Sequence, residues 1–204
     1  MKLPPLSDDD LEKCRQIAAY RQEIGKTPQG VSLRVRKASM GALAGRTVMR
    51  LIKKLQVTSI FEIGTCAGIG AAYMCAAAEE FGDVTYVGLE GVEARRQLAY
   101  QTLQAMCPAT TPNIVSGHFD TSFEEGLSLA SPLTFVYLDG RHKYEPSVHM
   151  FNRCVENMPQ GGWILADDLN QPGMRQCKQT FMQNERVVQS HKIANKDLFV
   201  VQSG

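Results

Sequence analysis

The chain has 204 residues, with 22 Lys and Arg against 21 Asp and Glu and a net charge of +1. That length supports one sizeable core and a single domain. The near-neutral balance excludes a global field that would draw nucleic acid or an anionic membrane. No apolar run is long enough to span a bilayer, and no secretory segment follows Met1. Six scattered cysteines (Cys14, Cys66, Cys75, Cys107, Cys154 and Cys177) form no C-x-x-C pair and stand at no zinc-site spacing with a histidine. They read as reduced, mostly buried thiols of a cytoplasmic protein.

In chain order, Ser7 followed by Asp8, Asp9 and Asp10 reads as a helix N-cap with acids in the first turn. That helix runs to about Glu23 and stops near Gly25. Residues 29–39 are polar and basic, carrying Arg34, Arg36 and Lys37. From Gly45 to Leu55 the apolar residues Val48, Leu51, Ile52 and Leu55 recur at helical spacing. From Ser59 onward strands and helices alternate. Strands are expected at 59–63, 84–89, 113–116, 134–138 and 163–166, and helices at 69–80, 92–106, 123–129 and 145–156. This order predicts an α/β fold with a doubly wound, mostly parallel sheet covered on both faces. Residues 172–184 read as a further helix, and 186–190 with 198–201 as an antiparallel hairpin at one edge. The organisation is a single domain, with an N-terminal helical cap (1–40), a core (41–170) and a closing helix and hairpin (171–204).

The most informative stretch is Phe61-Glu62-Ile63-Gly64-Thr65-Cys66-Ala67-Gly68-Ile69-Gly70. It reads as a buried strand that breaks into a glycine turn and enters a helix. Glu90 ends the next apolar run, twenty residues beyond Gly70. A glycine-rich strand-to-helix turn lets a ligand approach the backbone, and an acid at the next strand tip accepts the hydroxyls of a ribose. Together they predict a nucleoside-containing cofactor. The first gap, Gly64 to Gly68, is wrong for the G-x-G-x-x-G turn that seats a pyrophosphate.

Ligands of open α/β sheets bind outside the carboxyl ends of the strands. Three of the five strand tips carry acids here: Glu90, Asp139, and Asp167 with Asp168. Clustered carboxylates repel unless something neutralises them, and a hard divalent cation such as Mg²⁺ does so with oxygen ligands. Asp139, Asp167 and Asp168 therefore form a candidate metal site. The plainer alternative is that each caps a turn, Asp139-Gly140 being a common turn dipeptide.

The glycine stretch resembles the first motif of class I S-adenosylmethionine-dependent methyltransferases, E/D-x-G-x-x-x-G-x-G. The resemblance sharpens at Leu138-Asp139-Gly140-Arg141-His142-Lys143-Tyr144-Glu145 and at Gly161-Gly162-Trp163-Ile164-Leu165-Ala166-Asp167-Asp168. These are similar to the fourth- and fifth-strand motifs of the catechol and caffeoyl-CoA type O-methyltransferases. They are closer still to the bacterial branch that writes D-G-x-H-x-Y-E. The similarity covers roughly residues 39–170. It implies a Rossmann-like methyltransferase fold of seven strands and S-adenosylmethionine as cofactor. It further implies that Met40 and Gly41 close over the methionine end, with Glu62, Gly64, Thr65, Gly68, Ile69 and Gly70 forming the loop. Glu90 would take the ribose, Gly117 and Phe119 would lie by the adenine, and Asp139 would face the cofactor. In the catechol-type enzymes two aspartates and an asparagine hold Mg²⁺. Those positions are Asp139, Asp167 and Asp168 here, so an acid replaces the amide.

Methyl transfer from a sulfonium needs an acceptor oxygen aligned with the methyl group and relieved of its proton. Histidine titrates near neutrality, and His142, where the catechol-type enzymes place a lysine, is the candidate general base. The expected activity is O-methylation of a small hydroxylated molecule, assisted by a divalent cation. The rivals are a metal-independent O- or N-methyltransferase, a nicotinamide-dependent oxidoreductase, and a cofactor-binding protein without chemistry. The expected partner is a small-molecule substrate. Oligomeric state stays open, a homodimer among the options.

Overall fold

The computed structural model describes residues 1–204, the side chain of Asp120 excepted. Seven strands form one sheet: β1 (Ser59–Ile63), β2 (Thr85–Glu90), β3 (Thr111–Ser116), β4 (Phe135–Leu138), β5 (Gly162–Ala166), β6 (Val187–Ile193) and β7 (Lys196–Val201). Their order is β3-β2-β1-β4-β5-β7-β6. The first five run parallel, and β7 returns antiparallel between β5 and β6. The order reverses at β1, which pairs with β2 on one side and β4 on the other. A crevice opens at such a reversal, because the helices following the two neighbouring strands leave to opposite faces.

The strands are buried on both faces, as a parallel sheet requires. Along β4 the alternation is plain: Phe135 and Tyr137 join one core, Val136 and Leu138 the other. The first core lies under α1 (Asp8–Ile24), α4 (Ala42–Leu55), α5 (Ile69–Ala78) and α6 (Glu93–Met106), through residues such as Ile17, Leu51, Met74 and Leu103. The second lies under α7 (Phe119–Ala130), α8 (Tyr144–Glu156) and α9 (Cys177–Phe181). There Phe151 stacks on Phe181 with centroids 3.9 Å apart, and Phe199 meets both edge-on. All six cysteines are free, and every one except the half-buried Cys66 is buried.

The N-terminal helix follows its sequence signals. Ser7 and Asp10 form a capping box, with Asp10 N–H donating to Ser7 Oγ at 3.2 Å and Ser7 N–H to Asp10 Oδ2 at 2.9 Å. Two expectations need correction, and one stretch without an expected element acquires two. The polar stretch 29–39 folds into two short helices, α2 (Pro28–Ser32) and α3 (Val35–Ala38). Thr27 caps the first, with Pro28 at its opening position. Helix α7 begins four residues before the expected 123, because the His118 carbonyl already accepts from the N–H groups of Thr121 and Ser122. The expected helix over 172–184 shrinks to Cys177–Phe181. Before it the backbone makes successive three-residue turns, Gln171 N–H to Asp168 O, Met174 to Gln171 and Cys177 to Met174, instead of an i−4 ladder. Pro172 and Gly173 account for that break. No helix among the described residues is long and apolar enough to cross a membrane.

Candidate active site

One half of the crevice is backbone. After β1 the chain turns at Gly64, whose φ of +102° is a glycine conformation. The N–H groups of Gly64 and Thr65 both donate to Leu89 O, at 3.2 and 3.0 Å, which pins the turn to the end of β2. A Cβ on Gly64 would stand 2.2 Å from the carbonyl oxygen of Asp139. Glu90 fixes the far side of the loop: Cys66 N–H donates to its Oε2 and Val92 N–H to its Oε1, both at 2.8 Å. Burial pushes the Glu90 carboxyl up, and Val92 N–H, the nearby Arg95 charge and Cys66 N–H pull against it. A carboxylate oxygen accepts more than one hydrogen bond, so Glu90 keeps capacity toward a ligand.

Behind the loop a small pocket is lined by Met40, Glu62, Gly64, Thr65, Ile69 and Gly70, among others. Glu62 is 2% exposed. Tyr86 OH donates to it and lies 3.1 Å from Thr65 Oγ1. Burial pushes the Glu62 carboxyl up to about 8, against the Tyr86 hydrogen bond.

The other half is made of side chains. β4 delivers Asp139, the loop after it His142, β5 delivers Asp167 and Asp168, and β7 opens with Lys196. Arg141, His142 and Asp168 all take left-handed backbone angles (φ 64°, 34° and 56°). His142 Nε2 stands 3.8 Å from Asp139 Oδ1 and 3.9 Å from Asp168 Oδ2. Asp167 points elsewhere. Its Oδ2 receives Lys196 Nζ and, at 2.8 Å, Tyr137 OH. Its Oδ1 receives Asp168 N–H at 2.8 Å and Asn195 Nδ2 at 3.3 Å. Tyr137 OH also lies 3.2 Å from Asp139 Oδ2. Burial, and next the charge of Asp167, push the Asp139 carboxyl up to about 7, with Lys196 opposing.

Both halves face one cleft of about 640 Å³, in the range of small-molecule sites. Of the residues singled out from the sequence, Met40, Gly41, Gly64, Glu90, Phe119, Asp139, His142, Asp167 and Asp168 line it. Thr65, Ile69, Gly70 and Glu62 line the adjoining pocket. Gly68 has a packing role: at φ +76° a Cβ there would come within 2.9 Å of Ala99 Cα on α6. Gly117 turns the chain after β3 at φ +134°. The expected trio of acids is divided: Asp139 and Asp168 converge with His142, within 4.8 Å of one another, while Asp167 is bound to Lys196. Sequence reasoning missed Lys196, Asn195, Arg95 and Ser39, all on the cleft wall. Ser39 adjoins the Met40-Gly41 signal. Lys196 has no local signal and is found only through the pairing of β7 with β5.

A five-stranded parallel sheet that ends in an antiparallel β7 inserted between β5 and β6, with its cleft at the β1 reversal, is the Rossmann-like methyltransferase fold. The chain belongs to the methyltransferase-domain family, whose model matches residues 61–169, more than half of its length. Solved structures of similar fold include the cofactor-bound Rv0187 from MTB, at 17% identity and TM-score 0.70, covering 97% of this chain and 92% of that one. The O-methyltransferase of Bacillus cereus in complex with SAH matches at 15% identity and TM-score 0.70, with the same coverage, 97% and 92%. The O-methyltransferase TomG of Streptomyces achromogenes, in complex with SAM, matches at 14% identity and TM-score 0.65, covering 100% of this chain and 93% of that one. No curated protein matches the sequence.

Proposed function

We propose that this methyltransferase uses S-adenosylmethionine to methylate a hydroxyl oxygen of a small molecule, with His142 as the proton acceptor. The observation that carries the reading is the placement of His142 between two carboxylates on the wall facing the glycine loop. The cofactor fits the residues present: a loop closed to side chains at Gly64, a buried acid with lone pairs toward the cleft at Glu90, and a second buried acid at Glu62. Neighbours of the same fold that hold SAM or SAH support the same donor.

When bound, S-adenosylmethionine supplies a sulfonium methyl group. The chain's residues do the rest. Glu90 and the backbone of the glycine loop would hold the nucleoside end, with Phe119 on the same cleft wall. Glu62 and Met40 face the methionine end. His142 Nε2 would accept the proton of the acceptor oxygen, and the methyl group that the cofactor supplies would become that oxygen's new substituent. The imidazolium so formed lies between Asp139 and Asp168, and their carboxylates, Asp139 in its ionised form, stabilise it as the transition state builds. The Asp139 carboxyl, pushed up to about 7, is a second group able to exchange a proton near neutrality.

A divalent cation on the three strand-tip aspartates does not fit this donor set. Asp167 already accepts four hydrogen bonds, one from an ammonium group. No step is therefore routed through a metal.

The test combines calorimetry with SAH and a mass-spectrometric search for methylated products across phenols, catechols and aliphatic alcohols. Binding of SAH with a product 14 mass units heavier is the expected result. NAD binding in place of SAH would sink the reading.

A further inference from the structure

We propose that Lys196 is the resident cation of this cleft, and that it supplies the charge balance a divalent ion would otherwise give the strand-tip aspartates. The inference rests on the methyl-transfer reading above and deepens it: the transfer runs without a metal, through a lysine carried in by the final hairpin.

The pairing of β7 with β5 brings the lysine there. Ala166 stands opposite Asp197, so one step further along the antiparallel pair sets Lys196 beside Asp167. The β6–β7 turn is only Ala194 and Asn195 long, with Ala194 at φ 56°, so Lys196 is the first residue of β7 after it. Lys196 is 4% exposed, and its ammonium binds Asp167 Oδ2. It also lies 5.5 Å above the Tyr137 ring, a cation–π contact. A buried ammonium is tolerated only when paired and hydrogen-bonded. Here the pairing is with the acid that the metal reading requires.

The lone pairs give the same answer. An ionised carboxylate offers about four acceptor positions. Asp167 uses them on Lys196, Tyr137, Asp168 N–H and Asn195. Asn195 comes from the turn of the same hairpin, so the hairpin supplies two of the four donors. Each cation then has its carboxylate partners, Lys196 with Asp167 and the protonated His142 with Asp139 and Asp168. A metal held by Asp139, His142 and Asp168 would occupy the nitrogen that must receive the proton. Lys196 acts on the reaction through Asp167 and Tyr137, and Tyr137 OH reaches on to Asp139 Oδ2 at 3.2 Å. It is a positioning residue.

The experiment uses the full chain, EDTA and Mn²⁺ alone as the metal probe. Electron paramagnetic resonance of Mn²⁺ should show no ion bound by the wild type, and initial rates should be unchanged in EDTA. Lys196→Met keeps the stem length and removes the charge. It should gain Mn²⁺ binding that Asp168→Asn then abolishes, and its kcat should fall by roughly a hundredfold. Lys196→Arg, which keeps the charge, should recover part of that loss and bind no Mn²⁺. Wild-type Mn²⁺ binding lost in Asp168→Asn, or activity lost in EDTA and restored by Mg²⁺, would overturn the proposal. If Lys196→Met does not fold, the wild-type chelator and Mn²⁺ arms and Lys196→Arg still decide it. Loss of SAH binding would instead remove the methyl-transfer reading, while the Mn²⁺ arm still reports on the lysine.

Discussion

The two halves of the cleft are built by different means. The half at β1 and β2 is made of backbone: a turn at Gly64, two N–H groups on Leu89 O, and Glu90 held by two more N–H groups. The half at β4, β5 and β7 is made of side chains from distant parts of the chain, Asp139, His142, Asp167, Asp168 and Lys196. A half held by main-chain hydrogen bonds is rigid, which suits a site for one invariant cofactor. A side-chain half can be exchanged residue by residue, which suits acceptors that differ between enzymes of one fold.

This contrast can be broken or sharpened by substitution. The largest effect is expected at Gly64. A valine there meets both a left-handed φ and the Asp139 carbonyl, so both halves move and stability falls by about 3 kcal/mol or more, read from the denaturant midpoint. Next comes His142→Ala, which should lower kcat by about a hundredfold or more and flatten the pH profile while SAH affinity stays unchanged. An unaltered pH profile would retire the proton-acceptor role. Glu90→Gln should do the reverse, weakening SAH binding by roughly tenfold with the acceptor KM unaffected, as expected for the loss of charge-assisted hydrogen bonds. The Glu90→Gln and His142→Ala effects on kcat/KM should add to within about 0.5 kcal/mol; stronger coupling would show that the halves are not independent.

The smallest effect concerns pH. The buried Glu62 carboxyl is pushed up to about 8 in the folded chain, above its unfolded value. A carboxyl shifted upward favours folding while protonated, and that contribution is lost as pH rises through about 8. The melting temperature of the ligand-free protein should therefore decline from slightly acidic pH to pH 9, and Glu62→Gln should reduce the slope. Binding of SAH, whose ammonium favours the ionised carboxylate, should release protons near pH 7. Calorimetry in two buffers of different ionisation enthalpy reads that release.

The same contrast explains what could be read from the sequence. Glycines, a strand and an acid within thirty residues are a local pattern, so Gly64, Gly70 and Glu90 were legible and lie on the cleft or its adjoining pocket. Strands 59–63 and 163–166 followed from apolar runs, because a strand buried on both faces leaves little choice of residue. Lys196 was not legible. Its meaning depends on which strand β7 pairs with and in which register, and neither is encoded near residue 196. The short helices over 28–38 were missed because cap signals at Thr27 and Pro28 are weaker than the polar composition around them. Residues 172–176 read as the start of a helix, against Pro172 and Gly173.

The contact between Gly64 and the Asp139 carbonyl carries one more consequence. The two halves share a hinge pin a single atom wide, so variation at the β4 tip is constrained by the loop that seats the cofactor. Diversification of acceptor range in this fold should therefore spare residues 139 and 140 and accumulate on cleft-wall positions outside that contact, such as Lys37, Ala44 and Val92. Libraries aimed at new acceptors would do better to randomise those wall positions than the β4 tip.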